Sequence, residues 1–286
     1  MSRLAFLVPV LLATASSAAM QAGLVPVSST PSISPYMVSS DIDYALADWR
    51  RLRVGDGYAF ADYARFIIAN PGWPGEFSIR KSAERAMRPG ESPATVIAFF
   101  QTSKPTSGNG YARLAESLAA SGQPEEALAA ARAALESADL DANDEASLMG
   151  RFTGKPTYAD FDKRIDALLI ARKARDATRM LYYAEPTRRD AFNARIAMQT
   201  RASDAEAQFS AVAAQVSSDA GLLIDRARYL RETGNETSAR YLMARPHSFI
   251  TRPANPETYL ELATNLARAS AADRQYQTAY DIARQV

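Results

Sequence analysis

From Asp41 onward, apolar residues return every three or four positions, and only short polar turns interrupt them. That period is helical, and no alternating run bounded by turn signals is left over for a sheet. Three stretches show the unit: "YARLAESLAASGQPEEALAAARAAL" from Tyr111, "GLLIDRARYLRETGNETSARYLM" from Gly221 and "YLELATNLARASAADRQYQTAYDIA" from Tyr259. Each reads as a helix, a polar turn, and a second helix with a small alanine in its first turn. An amphipathic helix cannot cover its own apolar stripe, so pairs of them stack and bury it against their neighbours.

The anchors Ala127, Ala177, Ala205, Ala239 and Ala279 are separated by 50, 28, 34 and 40 residues. A regular tetratricopeptide array would hold close to 34. The expected fold is therefore all-α, an irregular helical-hairpin solenoid over 41–286, superhelical and U- or ring-shaped. The predicted helices are 41–53, one carrying Tyr63, Phe66 and Ile67, one entered at Glu76, then 93–101, 108–121, 124–138, 143–150, 158–173, 175–183, 188–199, 203–216, 219–233, 236–244, 256–269 and 273–284. On the first, Ile42, Ala45, Leu46 and Trp49 form a stripe.

"ANPGWPGEFSIRKSAERAM", Ala69–Met87, is a corner between two helices. Asn70 suits a left-handed C-terminal residue and Pro71 cannot continue a helix. Pro74 suits the first position of the next helix, with Glu76 in its first turn at the positive dipole end. Trp73 is expected in the groove between the two.

The N-terminus reads as an export signal. Arg3 precedes the apolar run Leu4 to Ala15, and Ser17-Ala18-Ala19 offers a cleavage site after Ala19. Residues 1–19 are read as a signal peptide and 20–40 as a Ser/Pro-rich linker. No cysteine follows the apolar run, which argues against a lipid anchor, and no stretch reaches transmembrane length. The expectation is a periplasmic, soluble protein.

Composition excludes several functions. The 33 basic and 32 acidic residues balance to +1, so there is no electrostatic case for nucleic acid or anionic membranes. The chain has no cysteine, which removes thiol catalysis, disulfides and zinc–thiolate sites. "DLDANDE", Asp139 to Glu145, lacks the glycine and glutamate of a calcium loop, whose positions hold Asp144 and Gly150; Asp141 reads as a helix cap. His247 is the single histidine and reads as a loop residue without metal partners. Asn235 in "NET" reads as a turn, and the tyrosines and Trp49 as core. No catalytic, cofactor or metal residue is assigned.

"FIIANPGWPGEFSIRKSAERAM", with Arg80, Ala83 and Glu84, resembles a signature in the N-terminal superhelical domain of periplasmic soluble lytic transglycosylases. "PTYADFDKRIDALLIARKARDATRML", with Arg164, Asp166, Leu168 and Leu169, is similar to another of its segments, and "DAGLLIDRARYLRETGNETSARYLM" and "LARASAADRQYQTAYDIARQ" to later hairpins. The resemblance covers about 41–286. It implies a scaffold attached to a catalytic domain that cuts peptidoglycan between MurNAc and GlcNAc with one glutamate, leaving a 1,6-anhydro end. That domain's Glu-Ser and Gly-Leu-Met-Gln hallmark is missing. Glu116-Ser117 and Glu91-Ser92 are Glu-Ser pairs, and both lack the flanking motif. The expectation is a scaffold truncated before its catalytic domain and inactive alone. Its expected partners are glycan strands, with a catalytic domain or periplasmic proteins as further ones. The alternative is a tetratricopeptide-like scaffold for protein partners.

Overall fold

The computed structural model describes residues 35–55 and 57–286, with side chains from Asp41 on. Residues 1–34, which hold the expected signal peptide and most of the linker, lie outside the described residues. Two units divide at Tyr44. Of the first, Met1–Tyr44, the described part is the opening of one helix. The second, Ala45–Val286, holds the remainder.

Every described element is helical and no strand occurs among the described residues, so the fold is an all-α, solenoid-like stack of hairpins. The helices are α1 Pro35–Val54, α2 Phe60–Ala69, α3 Glu76–Ala86, α4 Pro93–Phe100, α5 Gly108–Ala120, α6 Pro124–Leu135, α7 Ala142–Arg151 and α8 Tyr158–Ile170. Then come α9 Ala174–Met180, α10 Arg189–Thr200, α11 Ala205–Val212, α12 Ala220–Glu232, α13 Glu236–Ala244, α14 Pro256–Ala272 and α15 Tyr276–Ala283. All fifteen expected helices are present, with shifted ends. The first begins at Pro35, inside the expected linker, because proline at the first helical position gives up an N–H that has no intrahelical acceptor. The segments after α9 and α11 tighten into 3₁₀ turns, Leu181–Tyr183 and Ala213–Gln215, where longer α-helices were expected.

Five hairpins, α5–α6, α8–α9, α10–α11, α12–α13 and α14–α15, share one turn. Its left-handed residue is Gly122, Arg172, Arg201, Gly234 or Arg274. The next N–H reaches back five residues to a helix-end carbonyl: Gln123 to Leu118 (3.0 Å), Lys173 to Leu168 (2.8 Å), Ala202 to Ala197 (2.9 Å), Asn235 to Leu230 (2.7 Å) and Gln275 to Ser270 (2.8 Å). This closure satisfies carbonyls that the helix cannot. The anchoring alanine follows the left-handed residue by four or five positions. Ala127, Ala177, Ala205 and Ala239 are fully buried there. Ala279 is half-buried, since α15 packs chiefly on α13 and α14.

The Pro-Gly-Trp-Pro corner differs in detail from the expectation. Asn70 is not left-handed (φ −133°); its amide caps Phe66 O at 3.0 Å, and Gly72 and Gly75 supply the positive φ. Pro74 precedes the cap residue Gly75 instead of opening α3. Glu76 does sit at the helix start, accepting from Gly72 N–H at 2.6 Å. Trp73 packs on Phe66 and also on Trp49, whose indole N–H donates to Pro74 O at 2.7 Å. The corner thus docks onto α1. Among the described side chains of α1 Leu52 is the fully buried one, while Ala45, Leu46 and Trp49 are half-buried and Ile42 is exposed.

Five apolar clusters follow one another along the unit: α1–α4, α5–α7, α8–α10, α10–α12 and α12–α15. Buried ion pairs and polar anchors join the layers. Glu84 on α3 accepts from Thr106 N–H (3.0 Å) and Ser107 Oγ (2.5 Å) at the start of α5. Arg80 donates to Phe99 O (3.0 Å) at the end of α4. Arg113 pairs with Asp144 of α7, and Arg164 with Glu145 (2.7 Å). Arg195 on α10 lies between Asp166 of α8 (2.5 Å) and Asp225 of α12 (2.7 Å).

Candidate functional site

The residues that carried the family resemblance are packing residues. Arg80, Ala83 and Glu84 are all buried and tie α3 to α4 and α5. Arg164, Leu168 and Leu169 are buried in α8, and Asp166 faces Arg195. Glu116-Ser117 and Glu91-Ser92 both make contacts within their own chain. Ser117 Oγ donates to Arg113 O (2.8 Å) within its own helix, and Glu116 contacts Arg113 at 3.3 Å. Burial pushes the Glu116 carboxyl up, opposed by the Arg113 charge. Glu91 accepts from the backbone N–H of Arg88 (3.3 Å).

Asp141 caps α7, accepting from Asn143 and Asp144 N–H at 2.8 and 2.9 Å. Asn235 lies in the α12–α13 turn. Among the described residues, no group of three or more His, Asp or Glu side chains is placed to hold a metal. No described helix is long and apolar enough to cross a membrane. Several tyrosines expected in the core are exposed instead. Tyr158, Tyr182, Tyr241, Tyr276 and Tyr280 face solvent, whereas Tyr63 and Tyr259 are buried.

His247 is a loop residue with a structural task. Its Nδ1 lies 3.0 Å from Arg245 O, which can only accept, so Nδ1 carries the hydrogen. Nε2 then accepts from the Tyr259 hydroxyl at 2.6 Å, and the ring stacks on Phe249. The His247 N–H donates to Gln285 Oε1 at 3.0 Å, tying this segment to the end of α15. Burial lowers the imidazole pKa against the opposing carbonyl bond, and it raises that of Tyr259.

The chain from Arg245 to Asn255 crosses from α13 to α14 and walls a group of cavities. Its near end is held by Ser248 N–H to Ser217 O (2.9 Å) and Ile250 N–H to Ser218 O (3.0 Å). Beyond it, three adjoining cavities of about 530, 600 and 880 Å³ all touch Ile170 at the end of α8. One face of α8 (Lys163, Asp166, Ala167, Ile170) lines them, with one face of α12 (Gly221, Ile224, Asp225, Arg228) opposite. These spacings of three and four are the helical stripe seen from its polar side. Pockets of this size are the usual range for ligand sites.

Charge in the 530 Å³ cavity is unevenly satisfied. Arg188, Arg195, Arg228 and Arg252 line it with Asp166, Asp219 and Asp225. Arg188 contacts Asp166 (3.2 Å) and Asp219 (3.8 Å), and Arg195 takes Asp166 and Asp225. All three aspartates are thus engaged. Among the described residues, Arg228 and Arg252 have no carboxylate partner. Sequence reasoning assigned no residue here, because the walls come from helices far apart in the chain and from a loop. The available signal was the run of charged residues Asp166, Arg195 and Asp225 on the successive first helices α8, α10 and α12.

No protein-family model, no curated protein and no solved structure matches the chain.

Proposed function

We propose that this chain is the non-catalytic superhelical part of a peptidoglycan lytic transglycosylase, exported to the periplasm, where it holds glycan strands for a separate catalytic domain. The observation that carries this reading is the arginine-lined groove over α8, α12 and segment 250–255. Guanidinium groups pair bidentately with carboxylates, which muramyl peptides carry. The sequence resemblance over 41–286 supports the same assignment.

The test uses purified sacculi. The chain is expected to sediment with them, to be released by salt, and to produce no 1,6-anhydro products above a heat-denatured control. Anhydro products would overturn the non-catalytic assignment. The second reading, a scaffold for a protein partner, is favoured by the exposed tyrosines of α13 and α15, Tyr241, Tyr276 and Tyr280. A stoichiometric protein partner from periplasmic extract, with no sacculus binding, would select it.

A further inference from the structure

We propose that the 530 Å³ cavity between α8, α12 and segment 250–255 binds a short peptide with two free carboxylates, held by Arg228 and Arg252. This rests on the same groove as the cell-wall reading and names the ligand chemistry that the groove takes.

Three observations converge. The first is the charge balance: every aspartate of the cavity already meets an arginine, so the two arginines without carboxylate partners are left to an outside anion. They stand on different elements, α12 and the crossing segment, so one compact ion does not match both as well as a longer ligand with two acids. The second is main-chain chemistry. Thr251, Arg252, Pro253 and Ala254 all line the cavity, and among the described residues no hydrogen bond uses their backbone groups. The N–H groups of Thr251, Arg252 and Ala254 and the carbonyls along this wall are open to solvent and free to pair with an extended peptide. The third is the remaining wall. Ile170, Ile224 and Ile250 give apolar surface on which small side chains can lie. Guanidinium groups also pair with phosphate, so the backbone and apolar walls are what favour a peptide, and phosphate is a necessary comparison ligand.

The substitutions are clean, because neither arginine holds the fold together through an ion pair. The probe is acetyl-Ala-Glu-Ala with a free C-terminus, titrated calorimetrically into the full chain. The neutral acetyl-Ala-Gln-Ala amide and inorganic phosphate serve as comparison ligands. The acidic peptide is expected to bind, the neutral one to bind at least about tenfold more weakly, and phosphate likewise. Arg228→Gln and Arg252→Gln should each weaken the acidic peptide about tenfold, while Arg268→Gln, on a surface away from the cavity, should not. Circular dichroism of each variant must match the parent. Equal binding of acidic and neutral peptides, equal binding of phosphate, or unchanged affinity in both cavity variants would each overturn the proposal. So would no binding of the acidic peptide. Sacculus binding is scored separately, so failure here and failure of the cell-wall reading are distinguishable.

Discussion

At the scale of single residues, the closest approaches in this molecule are made over glycine. A Cβ added to Gly110 would lie 2.5 Å from Glu84 Oε2, and one added to Gly221 would lie 2.6 Å from the Arg195 guanidinium carbon. Both side chains are buried and held by several hydrogen bonds, so neither can step aside cheaply. Gly110→Ala and Gly221→Ala are expected to destabilise the protein by about 1–3 kcal/mol, despite alanine's better helix propensity. Gly150 on α7 is exposed and a Cβ there meets nothing within 4 Å. Gly150→Ala should therefore stabilise by about 0.5–1 kcal/mol. Urea unfolding of the three variants gives the sign of each. The glycines were visible in the sequence, but the partners that make two of them indispensable were not. A buried Glu84 or Arg195 looks, in one dimension, like any solvated charge on a helix.

At the scale of elements, the shared turn and the crossing segment behave differently. Three hairpins place an arginine at the left-handed position, a conformation that costs an L-residue roughly 1–2 kcal/mol. Arg172 and Arg201 recover part of it by meeting Glu232 at 3.0 and 3.2 Å. Arg274 has no such contact, so Arg274→Gly should raise stability by about 0.5–1 kcal/mol, read as a higher urea midpoint at constant slope. The segment from Arg245 to Asn255 rests on His247 in its neutral form. The folded imidazole pKa lies below the ordinary 6.5, so the folded state binds its proton less readily than the unfolded chain. The His247 contribution is fully present above about pH 6.5 and is lost as pH falls through the folded value. Between pH 7.5 and 5 the parent should lose more stability than His247→Gln; equal losses would refute this. The positions of the helices were readable from period and breakers because those signals are local. The 3₁₀ endings after α9 and α11, and the place of Pro74 before its helix, depend on what each end packs against.

At the scale of the whole unit Ala45–Val286, five apolar clusters succeed one another, each built mostly from neighbouring helices. Stability of such an array approaches a sum of local contributions and nearest-neighbour interfaces. Phe99→Ala removes a fully buried ring of the first cluster, a loss of about 3–5 kcal/mol. Hydrogen exchange should show lost protection in α2–α4, with α12–α15 little changed; uniform loss would mean a single cooperative body instead. The all-α stack was legible from the recurring hairpin. The groove was not, since Asp166, Arg228 and Arg252 are brought together by stacking alone. The chain of Asp166, Arg195 and Asp225 also has a consequence for how such an array can change over time. A layer slid by one helical turn would strand Arg195 away from both acids, so the charges act as a key that fixes how successive layers mesh. Alignment set in this way does not depend on loop length. In sequence α7 lies between α6 and α8 and widens one spacing to 50 residues, yet α6 and α8 still meet, and Arg164 pairs with Glu145 on α7.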